Sequence, residues 1–330
     1  MRFIQYIIFL IFMGFHVLQA GEYADAFLLG SQHPHAQSLG FSSVAASVSS
    51  GHAMNNPAGF GRITKPRLNL VYEQFTGLSS NLGIEGTLKS GSHYALGITL
   101  IHNSVDDLYS RPNLSGLTPL ARRDSVLSLS LSTGDFIKYR EDAIFMTVAR
   151  EFSFDLNLGW KFFKIPFKVP LGFSLKYLDK VLVENRGIGS GIDFGGQLFF
   201  NLGGMSEFLE RTEFGLGLLF SDILNTPVYW TTEHQDAIKR GLVTGYSLTQ
   251  NLDKYSSQIS FMSSKQSRYK SVTQYGLEIN LKDAVYLRAG NDGYTSSFGL
   301  GIGLKKFIID YSFSQHELAN MQKIGINYIF

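Results

Sequence analysis

Three ionisable residues near the C-terminus sit in segments with little room for charge: Glu278 in "TQYGLEINL", Arg288 in "VYLRAGN" and Asp310 in "KKFIIDYSFS". Two carboxylates flanking a guanidinium can do acid–base work, hold a cation, or neutralise one another. Each falls on the minority face of an alternating segment. Charges enclosed by apolar walls pair with one another as a rule, so the expectation is a salt-bridge network that stiffens a narrow interior. Histidine offers less. The eight His lie at 16, 33, 35, 52, 93, 102, 234 and 316, too scattered to assemble a Ser/His/acid constellation by spacing. His33 and His35 in "SQHPHAQS" are spaced to put both rings on one extended face, but no acidic residue lies near in sequence to complete a metal shell. They read as part of a flexible N-terminal segment, and His316 as a residue of an outer loop. "GIGSG", 187 to 191, is glycine-rich, but no helical pattern follows it, which argues against a phosphate cradle. No catalytic, metal or cofactor site is expected, and the chain reads as non-enzymatic.

The elements that carry these residues alternate with period two. Phe298, Leu300, Ile302 and Leu304 share one face of "SFGLGIGL", and Gly299, Gly301 and Gly303 the other. Phe307, Ile309, Tyr311 and Phe313 oppose Asp310 and Ser312. Tyr275, Leu277, Ile279 and Leu281 oppose Gln274, Gly276, Glu278 and Asn280. "TEFGLGLLF" repeats the pattern with Phe214, Leu216, Leu218 and Phe220. One apolar row per strand, with glycine, serine and isolated charges opposite, is the pattern of a membrane barrel with lipid outside and a polar lumen inside, in segments of ~10 residues.

Composition agrees. The chain is 44% hydrophobic and 17% charged, with Gly 34, Tyr 16, Phe 27 and no cysteine, against ~25% charged in an average soluble domain. A formal net charge of +2 gives no nucleic-acid footprint. The absence of cysteine excludes lipoprotein attachment, disulfides and thiol chemistry. "MRFIQYIIFLIFMGFHVLQA" has Arg2, an apolar run from Tyr6 to Val17 and Ala20, the layout of a secretory signal peptide cleaved after about Ala20.

The expectation is an all-β transmembrane antiparallel barrel over 63–330, preceded by a signal peptide over 1–20 and a short helical plug over 21–62. Strand candidates lie near 68–75, 81–90, 93–102, 124–131, 143–151, 155–163, 170–178, 189–200, 213–220, 241–249, 256–263, 273–281, 284–291, 297–304, 306–313 and 322–330. Weak candidates in the first half and the even-number rule for single-chain bacterial barrels leave fourteen strands, with sixteen as the alternative. Connections in the C-terminal half alternate long and short, and the segment 103–124 reads as a long outer loop. In the plug, Phe41, Val44, Ala45 and Val48 are spaced as a short helical stripe. Asn55, Asn56, Pro57, Ala58 and Gly59 then turn the chain into the first strand: Pro57 fixes φ, and the asparagines satisfy backbone groups locally. The chain ends "KIGINYIF", with Ile324, Ile326, Tyr328 and Phe330 on one face.

Those features carry a resemblance. "SLGFSSVAASVSSG", "NNPAGF", "YGLEINLKDAVYLRAGNDG", "SFGLGIGLKKFIIDYSFSQHEL" and the terminal "GINYIF" resemble the FadL-like (long-chain fatty acid transporter) superfamily of outer-membrane barrels, and within it the PorV/PorQ branch. His52 and Met54 depart from the pattern there. The resemblance implies a fourteen-strand barrel with an Asn-Pro-Ala plug motif, here Asn56, Pro57 and Ala58, in the outer membrane of a diderm bacterium. It implies a C-terminal strand read by the barrel assembly machinery. It further implies contacts with outer-membrane lipid and a role in type IX secretion through secretion-machine subunits or exported proteins. The alternative is transport of a hydrophobic ligand across the outer membrane.

Overall fold

Strands with one apolar and one polar row satisfy both rows when the sheet closes with the polar row inside. The computed structural model does this, and it describes residues 25–30, 33–46, 52–75, 79–91, 94–105, 108, 114–128, 137–157, 159, 164–201, 209, 211–268, 270–315 and 320–330. The strands are β1 (Arg67–Phe75), β2 (Ser79–Ser90), β3 (Tyr94–Val105), β4 (Tyr139–Asn157), β5 (Lys164–Leu182), β6 (Asn185–Asn201), β7 (Thr212–Ser221), β8 (Thr226–Trp230) and β9 (Gln235–Ile238). They continue as β10 (Gly241–Leu252), β11 (Ser257–Ser267), β12 (Ser271–Leu281), β13 (Val285–Asn291), β14 (Ser296–Leu304), β15 (Phe307–Gln315) and β16 (Asn320–Ile329), and the described α-helices are α1 (Ala26–Gly30), α2 (Pro34–Ser38), α3 (His52–Asn55) and α4 (Pro119–Ser128). Fourteen form a closed antiparallel meander, and β8 and β9 form an appended hairpin. Closure joins β1 to β16, from Arg67↔Ile329 to Phe75↔Met321.

Fourteen wall strands put both ends of the wall at one rim, the terminal rim. The opposite, loop rim carries the connection 106–138, with helix α4 (Pro119–Ser128), and the connection 222–240, with the β8–β9 hairpin. Charged pairs on the lipid-facing rows of β3–β6 mark the loop-rim edge of the apolar band: His102 with Asp142 at 2.6 Å, and Arg186 with Asp179 at 2.7 Å. At the other edge Arg150 donates to the Tyr94 hydroxyl at 3.1 Å, an aromatic–cation pair suited to the membrane interface.

Four expectations need correction. The candidate strand 124–131 is helical through Ser128, as part of α4, while 129–131 lie outside the described residues. The candidates 143–151 and 155–163 begin in one long strand, β4, because nothing between Arg150 and Asp155 breaks the alternation; 160–163 are outside the described residues. The β8–β9 hairpin falls between the candidates 213–220 and 241–249, where the expectation has no strand. The helical stripe is not one helix: α2 (Pro34–Ser38) stops where Gly40 and Phe41 take φ of 59° and 58°, and a 3₁₀ turn follows at Ser43–Ala45. Residues 1–24, Val48 and His316 lie outside the described residues.

Candidate functional site

The described part of the N-terminal segment runs inside the barrel, and glycines on the inward rows make its seat. Side chains at Gly276, Gly290, Gly299 and Gly325 would strike Leu39, Gly40, Ser38 and His33. Across the lumen, side chains at Gly97, Gly172 and Gly195 would strike Phe60, Pro57 and Asn56. At Gly172 and Gly290 the partner is backbone, and only a residue without Cβ lets one backbone approach another this closely.

Polar contacts fix the segment in register. The Asn56 carboxamide oxygen accepts from Ala58 N–H at 3.0 Å, capping the 3₁₀ helix Pro57–Arg62, and its nitrogen donates to Val44 C=O at 2.9 Å. Asn55 donates to Ser43 Oγ at 2.6 Å. Ala58 and Gly59 are buried in that helix. The asparagines therefore bond within the turn and across to the preceding 3₁₀ turn. Gln197 and Ser247 reach in from β6 and β10 to the carbonyls of Val44 and Ala45, at 3.0 and 2.8 Å. Arg62 makes a bidentate pair with Glu213, both contacts 3.1 Å, and lies 3.9 Å over the Phe199 ring.

Two charge clusters lie against this segment. The first brings together Glu278, Arg288 and Asp310: Arg288 Nε donates to Glu278 at 2.6 Å and Nη1 to Asp310 at 2.6 Å. His35 of α2 adds its Nε2 at 2.9 Å from the same Glu278 oxygen, which the sequence spacing had not suggested. His33 and His35 are buried rather than loose, at 2% and 3% exposure. Burial pushes the His33 imidazole down to about 3, with Asp310 opposing the shift and His35, Arg288 and Lys323 adding to it. Among the described residues no group of metal ligands assembles.

The second cluster was not foreseen. Lys176 Nζ lies 2.9 Å from Asp193 and 2.6 Å from Asp222. Arg268 pairs with Asp222 and with Asp25 and donates to Ser221 Oγ at 2.6 Å. Lys176 and Asp193 are inward residues of alternating strands and could have been read. Asp25, Asp222 and Arg268 lie outside the strands, where no period marks them. This cluster forms one wall of a cavity of about 90 Å³ whose other wall includes Leu28, Phe41, Val44, Leu219 and Val243. Above it Val228 and Ile238 of the hairpin join Phe27 and Leu28 in one buried apolar cluster.

The remaining sequence candidates lie elsewhere. "GIGSG" is a stretch of β6, with Gly187 and Gly189 against Trp230 and Pro227 of the hairpin. Ile324, Ile326 and Tyr328 occupy the lipid-facing row of β16 and Phe330 follows it; Tyr328 packs 4.8 Å from both the Phe307 and Phe330 rings.

No protein-family model matches the chain, and no curated protein does. Among solved structures it is similar to the Pseudomonas putida toluene transporter TodX, at 11% identity over 90% of this chain and 96% of that one, TM-score 0.41. It is similar to the KdgM porin at 9% identity, over 80% and 99% of the two chains, TM-score 0.34. It is similar also to the translocator domain of the autotransporter NalP from Neisseria meningitidis, at 10% identity over 84% and 94%, TM-score 0.37. The chain itself is a fourteen-strand barrel of the outer-membrane type with two further strands.

Proposed function

We propose that this chain is a non-enzymatic outer-membrane barrel, sealed by its own N-terminal plug, whose loop rim holds a secretion-machine subunit or an exported protein. This is the role that the PorV/PorQ resemblance implies for type IX secretion. The observation that carries the reading is the occupied lumen. The plug is seated in glycine notches around the wall, and the cavity beside it is about 90 Å³, well under the ~300–1,000 Å³ of ordinary ligand pockets. The loop rim, meanwhile, offers apolar side chains to solvent: Leu120, Leu127 and Leu224 are 69%, 72% and 75% exposed. Exposed apolar groups of this kind suit a protein partner. Long connections at that rim and mostly short turns at the other match the extracellular and periplasmic sides of such barrels.

The second reading, a FadL-like transporter for a hydrophobic small molecule, draws on the apolar wall of the same cavity. It requires the plug to move. Deleting the gene separates the two. The expected result is that exported proteins fail to reach the cell surface while uptake of toluene and long-chain fatty acids is unchanged. Normal surface delivery with lost uptake would reverse the assignment.

A further inference from the structure

A closed barrel has no free strand edge, yet among the described residues one remains here. The β3–β4 pairing stops at Tyr94↔Arg150, while β4 continues to Asn157 against β5. Among the described residues no strand pairs with the other side of β4 over 151–157. Phe152, Phe154 and Leu156 are 42%, 52% and 42% exposed on the outer row, and Ser153, Asp155 and Asn157 are exposed on the inner one. The inner row of β4 is buried from Glu141 to Ala149 and exposed from Ser153 on; this opening, beyond Arg150 and Tyr94, puts the hairpin past the terminal rim. Its backbone groups are therefore open to a partner rather than stranded in lipid.

Two prolines tell which groups face outward. Pro170 and Pro166 of β5 stand opposite Glu151 and Asp155. Proline has no N–H to give, so these are non-hydrogen-bonded pairs. Residues two apart in an antiparallel ladder share a pair type, so Ser153↔Lys168 is of the same kind. The N–H and C=O of Glu151, Ser153 and Asp155 consequently point away from β5, along the open edge. The same three residues carry the acidic, polar row, with Glu151 3.7 Å from Arg62. The outer row is apolar and runs into a ladder of rings, Phe154–Phe167–Phe200–Phe214, with centroids 5.5, 5.1 and 5.3 Å apart.

We propose that this edge of β4 binds, by strand addition, an extended segment of another protein that alternates basic and apolar residues. Basic side chains would lie opposite Glu151, Ser153 and Asp155 in hydrogen-bonded pairs, and apolar ones beside Phe152 and Phe154 to extend the ring ladder. Such augmentation takes affinity from the main chain and specificity from alternate side chains. The surface lies at the rim opposite the loop-borne one proposed above and does not depend on it.

The test uses the full-length barrel in detergent and a short fluorescent peptide alternating lysine and valine. Saturable binding is expected. It should weaken about tenfold or more in Ser153→Pro, which removes one outward N–H and no bond to β5. Because Ser153→Pro could disturb folding, the peptide is varied as well. N-methylation of the lysine amides should abolish binding, and N-methylation of the valine amides should leave it. Asp155→Lys should weaken the lysine peptide and improve a glutamate–valine one. Equal binding of the two methylated peptides, as adhesion to charge or to the detergent surface would give, would overturn the proposal. So would undiminished binding by a natively folded Ser153→Pro, or no binding by the parent.

Discussion

Two sectors of the wall solve the same problem differently. Between β12 and β16 the strands are 7 to 11 residues long. Their inward glycines take α2 directly onto the sheet, and their one arginine-centred cluster is packed against it, with Arg288 and Asp310 side chains at 1% and 0% exposure and Glu278 at 12%. Between β4 and β6 the strands are 17 to 19 residues long; β4 outruns β3 at the terminal rim, and β6 outruns β7 at the loop rim, where it pairs with β8. Their cluster of Lys176, Asp193 and Asp222 is as enclosed, at 3%, 5% and 0% exposure, but it borders a cavity and leans on residues from the hairpin connection and the N-terminus. Both sectors seat the N-terminal segment, but the second also carries a covering, the β8–β9 hairpin. A seat depends on contact and on paired charge without room to relax; a covering has room for water.

Arg288→Ala should break the contrast most severely. It removes the guanidinium from Asp310 and leaves Glu278 with His35 in an enclosed site, a loss of ~3–5 kcal/mol when one partner of a buried pair is removed. Lys176→Ala should cost less, because the adjoining cavity lets water reach Asp193 and Asp222. Thermal unfolding in detergent measures both, and equal losses would erase the distinction between a cluster packed against α2 and one beside a cavity.

Gly290→Val comes next. Its side chain would meet the Leu39–Gly40 backbone, whereas Gly196→Val adds atoms on the lipid-facing row at 3.5 Å from Leu171, an ordinary contact. Overpacking costs ~1–3 kcal/mol, and here it should lift α2 from its seat. Protease cutting within 33–46 should rise for Gly290→Val alone.

This contrast also explains what could be read from the sequence. Glu278, Arg288 and Asp310 were legible because short strands keep strict alternation, so every inward charge stands out. In β4–β6 the alternation is equally regular but does not say where lipid ends, and "REFSFDLN" reads the same inside or beyond the membrane. The β8–β9 hairpin is too short for a period, and Pro227 and Asn225 look like loop residues. The notches were invisible for another reason. A glycine on an alternating strand is ambiguous until the backbone opposite it is known.

The smallest effect at neutral pH belongs to His33. Its imidazole is held at about 3, against 6.5 when free. Between those values the unfolded chain binds a proton that the folded chain refuses, so stability falls as pH drops from about 6.5 towards 3 and is insensitive to His33 above that range. The groups facing it are Asp310, His35, Arg288 and Lys323. His33→Gln should flatten the acid side of the stability profile in that window. A profile identical to the parent's would mean that His33 is not enclosed by the seat.

The N-terminal segment touches opposite sides of the ring: α2 rests on β13–β16, while Pro57–Arg62 rests on β3–β6. It therefore acts as a tie-rod across the cylinder's diameter. Lateral pressure from the bilayer tends to flatten a barrel into an oval, and any parting of wall strands must stretch or release such a rod. While both ends hold, the cross-section is fixed and a sideways exit between strands is shut. The stiffness of this wall is set by a segment that is no part of the wall, and cutting the rod at Asn56 would change how the cylinder deforms before it changed what the cylinder contains.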